Sequence, residues 1–429
     1  MKLKSALLAI VVLAGTVAAV QEGTVVKAGE IITAGLEKVR REVVLNALVF
    51  QQGEVITSKK ISASLDRLRE TDLFTSVFVE PIDTFGTSSG DTVTLPVLVV
   101  VEEKSMYNIQ AGAGYGAFQG WYGRLELAYR NFFGLGHRGS VAGRISSEEI
   151  GGQLEYRYPY LFGLPLEGAA RLYLERRSQQ EYEGLFWGGT ARLSGSFSEN
   201  LFWRAYSRAE LISDVLFTEP STSSFPQSEA ANTFLLGSGL QWDTRSGLFQ
   251  ISGVYSELRG EVAGPFLPKT NQFYKLRAAY AFFYPFWDKF TLMGAIQAAF
   301  GKSYGEKGEL LPVQERYRIG FGGISPIRGY SENEVMPLDE QGETRGAGAL
   351  LVLTPVEVRF PLFWRFQGAV FVDGGKAWRS PREVDLGELE WAAGPGILFV
   401  LPFGVIRVDY GVQLDEVSQG RFHISAGAF

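Results

Sequence analysis

From residue 105 to residue 429 the chain alternates polar and apolar residues, and this period of two limits the fold more than any other feature. Arg124-Leu125-Glu126-Leu127-Ala128-Tyr129 puts Leu125, Leu127 and Tyr129 on one side of a strand. Gln153-Leu154-Glu155-Tyr156-Arg157-Tyr158 and Arg171-Leu172-Tyr173-Leu174-Glu175 repeat the pattern. Successive strand residues point to opposite faces, so each segment has one charged and one apolar face. A soluble sandwich also alternates, but it seldom sets so many Arg and Glu against leucine and aromatic faces over such a length. A barrel with lipid outside and a wet lumen requires that arrangement. Aromatics at 13% and 51 glycines suit the same class. Turn signals at 133–136, 158–163, 283–287 and 360–364 are aromatic and rich in Gly or Pro, as expected of strand ends at a membrane interface. At about 20 residues per strand and connection, the segment holds roughly 16 strands. The fold class is mainly β: a transmembrane antiparallel β-barrel preceded by one small α/β domain.

The N-terminus points to export. Lys2 and Lys4 precede an apolar run over 6–14, and Val17-Ala18-Ala19 fits a cleavage site, so residues 1–19 read as a signal peptide cut after Ala19. No later stretch supplies the 18 or so uninterrupted apolar residues of a membrane helix. The chain has no cysteine, and its two histidines, His137 and His423, are far apart, so thiol chemistry, a histidine-rich metal site and paired-histidine catalysis are not expected. No G-x-S-x-G nucleophile motif occurs. A net charge of −6 gives no basic footprint for nucleic acid. The chain reads as a non-enzyme without cofactor or metal.

Residues 20–104 read as a small α/β unit. A strand is expected over 30–36, then a helix with Val39, Val43 and Ala47 on one face. Ser58 reads as the N-cap of a second helix striped by Ile61, Leu65 and Leu68. A strand follows over 72–79, a polar turn at 86–91, and a last strand over 92–101 in which Pro96 marks a bulge or an unpaired position. With Phe78, Val97 and Val99 the unit has its own apolar set, so it is expected to fold alone.

The first barrel strand is expected over 107–117, carrying Gly112, Gly114 and Gly116. The last, over 421–429, is rich in small residues up to Gly427 and ends in Phe429. Glycines offer few cross-strand contacts, so the seam between these strands is expected to be the weakest line of the wall. Phe422 and Ile424 alternate out of phase with Phe429, and the sequence leaves open whether a bulge intervenes or Phe429 turns inward.

Residues 322–330 read GGISPIRGY. Gly322, Gly323 and Gly329 permit turns that a Cβ forbids, and Pro326 fixes one φ, so the segment reads as a shaped loop presenting Arg328 between Ile327 and Tyr330. A guanidinium in such a place needs a carboxylate. Asp373 in FVDGG and Glu357 in VEVRF are the candidates. The connection over 301–348 is too long for a plain turn and reads as a loop folded inward, whereas 213–233 reads as a solvated external loop.

IRGY, VEVRFPL, FVDGG and the terminal strand, in that order, resemble the BamA/TamA superfamily of outer-membrane assembly and translocation barrels. The resemblance implies a loop folded into the lumen, with tip arginine Arg328 paired to Asp373 and to Glu357 as second acid, and a barrel of 16 strands. LRETDLFTSVFVEP, in the order β-α-α-β-β, is similar to a POTRA domain, the periplasmic module attached to such barrels; there is room for one. The implied function is insertion or translocation of unfolded outer-membrane or secreted client proteins, received as an added strand, with possible periplasmic or lipoprotein accessory factors and membrane lipid as partners. The rivals are a protein-secretion pore or porin-like channel and an outer-membrane enzyme. Secretion pores usually carry a second POTRA domain and a plug helix, neither of which is found.

Overall fold

A computed structural model describes residues 25–427 except 83–86, 90–91, 117–119, 165, 179–181, 218–231, 248–250, 265–269, 288, 305–310, 313–314, 316–326, 332–333, 338–346, 402–403 and 416–418. The expected signal peptide, Gly322, Gly323, Pro326 and Phe429 lie outside the described residues.

The N-terminal unit runs β1 (Val25–Ala34), α1 (Arg41–Ala47), α2 (Ser58–Glu70), β2 (Phe74–Pro81), β3 (Thr87–Ser89) and β4 (Thr92–Glu103). Its sheet order is β1-β4-β2, with β3 also pairing β4. β1 runs parallel to β4, and β2 antiparallel. Alternation along β4 buries Leu95, Val97, Val99 and Val101, and the last three share one core with Val43, Val44, Ala47 and Leu68 of the helices. The β1–β4 register slips between Ala28 and Ile31, opposite Pro96. Pro96 has no N–H to offer, and the bulge removes the need for one.

Four local expectations change. Residues 87–89, inside the expected polar turn at 86–91, form the short strand β3 against β4. β1 starts earlier than residue 30 and ends at Ala34. The cap of α2 is Thr57, whose hydroxyl accepts from the Lys60 N–H at 3.3 Å, so Ser58 is the first helical residue. Phe78 is 38% exposed and adds little to the core, because β2 turns Val79 inward instead. The compact unit carrying this sheet also takes in residues 127–140 and 156–165. There the Asn131 side chain donates to the Lys38 carbonyl at 2.9 Å, and the Arg40 N–H to the Gly134 carbonyl at 2.8 Å.

The second sheet has 16 strands in one antiparallel path, each hydrogen-bonded to its sequence neighbours, from β5 to β20. They are β5 (Tyr107–Gly116), β6 (Gly120–Phe132), β7 (His137–Ser146), β8 (Glu149–Tyr158), β9 (Leu166–Ser178), β10 (Tyr182–Ser198), β11 (Leu201–Phe217) and β12 (Thr233–Asp243). After them come β13 (Gly253–Ala263), β14 (Phe273–Phe286), β15 (Phe290–Ser303), β16 (Ala349–Pro361), β17 (Phe366–Trp378), β18 (Glu390–Leu401), β19 (Gly404–Gln413) and β20 (Gly420–Gly427). Burial is inverted relative to a soluble protein. Leu172, Leu174 and Trp121 are 63%, 53% and 74% exposed, while Glu210, Glu357 and Asp373 are each 1% exposed. The apolar face is the one that meets hydrocarbon.

Gly112, Gly114 and Gly116 all fall in β5, and Gly427 closes β20. A Cβ on Gly114 would lie 2.4 Å from the Tyr122 ring, so that glycine makes room for an aromatic neighbour, whereas Gly112 faces open space. Phe422 and Ile424 point outward, 68% and 43% exposed, leaving His423 inward. The expected external loop begins later than residue 213, because β11 continues to Phe217.

Candidate functional site: a loop pinned to the barrel wall

The wall first has to present acids at the right height. Along β16, Leu350, Val352 and Thr354 share a face. A one-residue bulge between Leu353 and Val356, at Pro355, shifts the phase so that Glu357 and Arg359 join that face. Without the bulge Glu357 would point to lipid. On β17, strict alternation puts Phe371, Asp373, Gly375 and Ala377 on one face, and on β19 Arg407, Asp409, Gly411 and Gln413.

Arg328 enters this wall from the loop after β15. Its Nε donates to Asp373 Oδ2 at 2.6 Å and its Nη2 to Oδ1 at 2.7 Å, the two-pronged geometry that suits a guanidinium. Its Nη1 donates to Glu357 Oε2 at 2.7 Å, and the Phe371 ring centre lies 3.5 Å from its Cζ. The three residues expected to meet are thus in direct contact. Thr354 Oγ1 adds a hydrogen bond to Asp373 Oδ1 at 2.8 Å.

The cluster is larger than the sequence suggested. Arg407 donates to both oxygens of Glu357, at 3.0 and 2.8 Å, and from Nη2 to Asp409 Oδ1 at 2.8 Å. Arg359 Nε donates to Glu357 Oε1 at 2.7 Å. Arg328, Arg359 and Arg407 face Glu357, Asp373 and Asp409, which balances the charge in a place where an unpaired ion would be costly. The overlooked members were readable: Glu357-Val358-Arg359 and Arg407-Val408-Asp409 each place opposite charges two residues apart, on one face of a strand.

Glycines and apolar residues seat the tip. Gly329 has φ 105°, a region costly for a side chain, and a Cβ there would meet Ala392 and Gly411. Gly375 leaves room for the Ile327 side chain. Ile327 is fully buried, and Tyr330, 4% exposed, donates to the Trp391 carbonyl at 3.1 Å. With Leu311 and Val335 they join wall residues Leu350, Val352, Ala377 and Ala392 in one apolar cluster.

Nothing in the sequence singled out a second anchor. Glu315, fully buried on the same loop, accepts from Arg208 of β11 and from Lys275 of β14, the latter at 2.5 Å. Lys275 also pairs with Glu261 of β13 at 2.7 Å, and Glu261 accepts from Tyr206 at 2.5 Å. All of these chemistries are ionic or hydrogen-bonding. Among the described residues no group of three or more His, Cys, Asp or Glu is placed to hold a metal.

A 16-stranded barrel with a loop ion-paired to its inner wall, behind one small α/β module, defines a class of outer-membrane protein, and comparison with known proteins agrees. The model of the Omp85 superfamily domain matches residues 131–429, and that of the POTRA type described as surface antigen variable number repeat matches residues 26–104. The chain belongs to the Omp85 superfamily, and it is an outer-membrane barrel whose POTRA domain lies in the periplasm. It is similar to outer membrane protein assembly factor BamA of Nitratidesulfovibrio vulgaris, 24% identical over 417 residues covering 93% of this chain and 51% of that protein. The BamA of Neorickettsia risticii is 20% identical over 410 residues, 89% of this chain and 52% of that protein. The chain spans about half the length of these curated relatives. Among solved structures, BamA from Haemophilus ducreyi lacking POTRA domains 1–3 aligns with TM-score 0.75 at 17% identity, over 94% of this chain and 85% of that one. CdiB from Acinetobacter baumannii aligns with TM-score 0.57 at 12% identity, over 94% and 74%.

Proposed function

We propose that this protein inserts or translocates client β-proteins at the outer membrane without a chemical reaction. The similarity to assembly factors over nearly the whole chain carries the reading. The mechanism follows from two edges. In the POTRA sheet, residues 53–56 run along the outer side of β1, the Ala28 N–H donating to the Glu54 carbonyl and the Ile56 N–H to the Val26 carbonyl, each at 2.8 Å. β2 is the opposite edge, and among the described residues no strand pairs on its far side. An extended client can add there as a further strand. In the barrel, the sheet order ends at glycine-bearing β5 and short β20, and parting these two would let a client strand pair with β5. Arg328, Asp373 and Glu357 brace the lumen during this exchange, with no role as acid or base.

The test is refolding of an unrelated outer-membrane barrel into liposomes with and without this protein. Acceleration is expected. It should vanish when a cysteine pair, scanned between Ala111 or Ala113 and Ala426 or Ala428, is oxidised across the seam, and return on reduction. Because the native chain has no cysteine, any such bridge is the introduced one. A verified cross-link that leaves the rate unchanged would favour a channel with a permanently closed wall, the secretion-pore reading.

A further inference from the structure

The inward loop does more than meet the acids of β16 and β17, because its tip also touches the strand at the end of the sheet. The Gly329 N–H donates to Nε2 of His423 on β20 at 2.8 Å. A backbone N–H can only donate, so that ring nitrogen is the unprotonated one and the imidazole is neutral, with its proton on Nδ1. The Gly329 carbonyl accepts from Gln413 Nε2 of β19 at 3.2 Å, and the same amide donates to loop residue Glu334 at 2.7 Å. Gly411 of β19 lies so close beneath the tip that a Cβ on it would come within 2.5 Å of the Gly329 nitrogen. His423 is 8% exposed, on the inward phase between outward Phe422 and Ile424.

We propose that the loop tip latches the terminal strand through His423, holding the β20 lip of the seam to the block that contains the Arg328 lock. His423 is then a positioning residue: it touches no client and acts by fixing where β20 sits. The inference rests on the reading of the protein as an insertase whose seam parts. β20 has eight residues and, among the described residues, pairs with β19 alone, so the tip supplies an attachment that does not depend on that ladder. An opening that moves β20 must first break the Gly329–His423 bond, whereas one that moves β5 leaves it intact.

Hydrogen exchange of the full-length protein in micelles tests the latch directly, because Gly329 contributes the protected amide. His423→Leu is expected to speed exchange about tenfold both at residues 327–331 and along 420–427, leaving β12–β14 unchanged. His423→Gln, which restores an acceptor, should remain close to the native rates; this rescue separates a lost hydrogen bond from general loosening. Gly411→Ala, which pushes the tip off β19 with His423 intact, should reproduce the effect if the leucine variant fails to fold. Faster exchange at 327–331 with 420–427 unchanged would overturn the latch, as would no change at either segment. If exchange behaves as expected but His423→Leu leaves client insertion unaltered, the latch stands and the insertase reading is the one at fault.

Discussion

The two anchors of the inward loop are built with opposite signs. At one, a loop cation, Arg328, enters a wall whose Glu357, Asp373 and Asp409 outnumber Arg359 and Arg407 by one. At the other, a loop anion, Glu315, enters a wall where Arg208 and Lys275 outnumber Glu261 by one. In each of these described groups the loop residue carries the sign opposite to the wall residues it pairs with. The strands differ too: β16, β17 and β19 for the first, β11, β13 and β14 for the second. A loop reversed across the lumen would bring like charges together in a place where water screens them poorly. The pattern therefore fixes the direction of the loop as well as its depth.

The comparison breaks most severely at the arginine. Arg328→Ala leaves Asp373 and Glu357 buried without their shared partner, and losing one member of such a pair costs about 3–5 kcal/mol, less where lumen water reaches it. The expected outcome is a lower melting temperature of the heat-modifiable barrel on unheated gels, together with slower client insertion. Asp373→Asn should act in the same direction, and the double variant should cost less than the sum because the two share one interaction. Strict additivity would show that the two side chains do not work as a pair.

Glu315→Gln should cost less, about 1–3 kcal/mol, because Lys275 keeps Glu261 as a partner. Its signature should be local: faster proteolysis or exchange near residue 315 with the 327–331 segment still protected. If Glu315→Gln also released the Arg328 end, the two anchors would be one cooperative unit, and their independence would be disproved.

How much of this was visible in the sequence follows from the range of each signal. Alternation is local, so strand number and the inverted faces could be anticipated; the pairing of Arg328 with Asp373 and Glu357 was implied by the family resemblance, the charge pattern alone offering the two acids only as candidates. The phase shift at Pro355 was visible as a proline inside a strand, yet which way it would turn Glu357 depended on pairing with β15 and β17. Glu315 gave no signal, since a lone glutamate in a long loop looks the same whether solvated or buried. Its role comes from Arg208 and Lys275, 107 and 40 residues away. His423 is one of two histidines far apart in the sequence, and the backbone N–H of Gly329 that it accepts from is a partner no residue pattern records.

The smallest expected effect lies outside the barrel and sharpens the contrast between buried and exposed ion pairs. Asp72, between α2 and β2, takes a salt bridge from Lys104 at 2.6 Å and another from Arg130 at 2.8 Å, but its side chain is 47% exposed. Partial burial by itself would raise its carboxyl, and the Lys104 hydrogen bond with the charges of Arg130 and Lys104 outweighs this, so the group titrates below its ordinary value. A depressed folded-state value means that the stabilisation is fully present above the unfolded-state value of about 3.9 and fades as the pH falls through the folded one. Water screens such a pair, so Asp72→Asn should cost no more than ~1 kcal/mol at neutral pH. Asparagine also tolerates the left-handed backbone at this position, φ 56°, so the substitution removes charge without adding strain. Exchange of the 72–74 amides in native protein and variant should differ slightly at pH 7 and converge in acid. A gap that persists below the folded value would mean that Asp72 acts through its turn geometry and not through its charge.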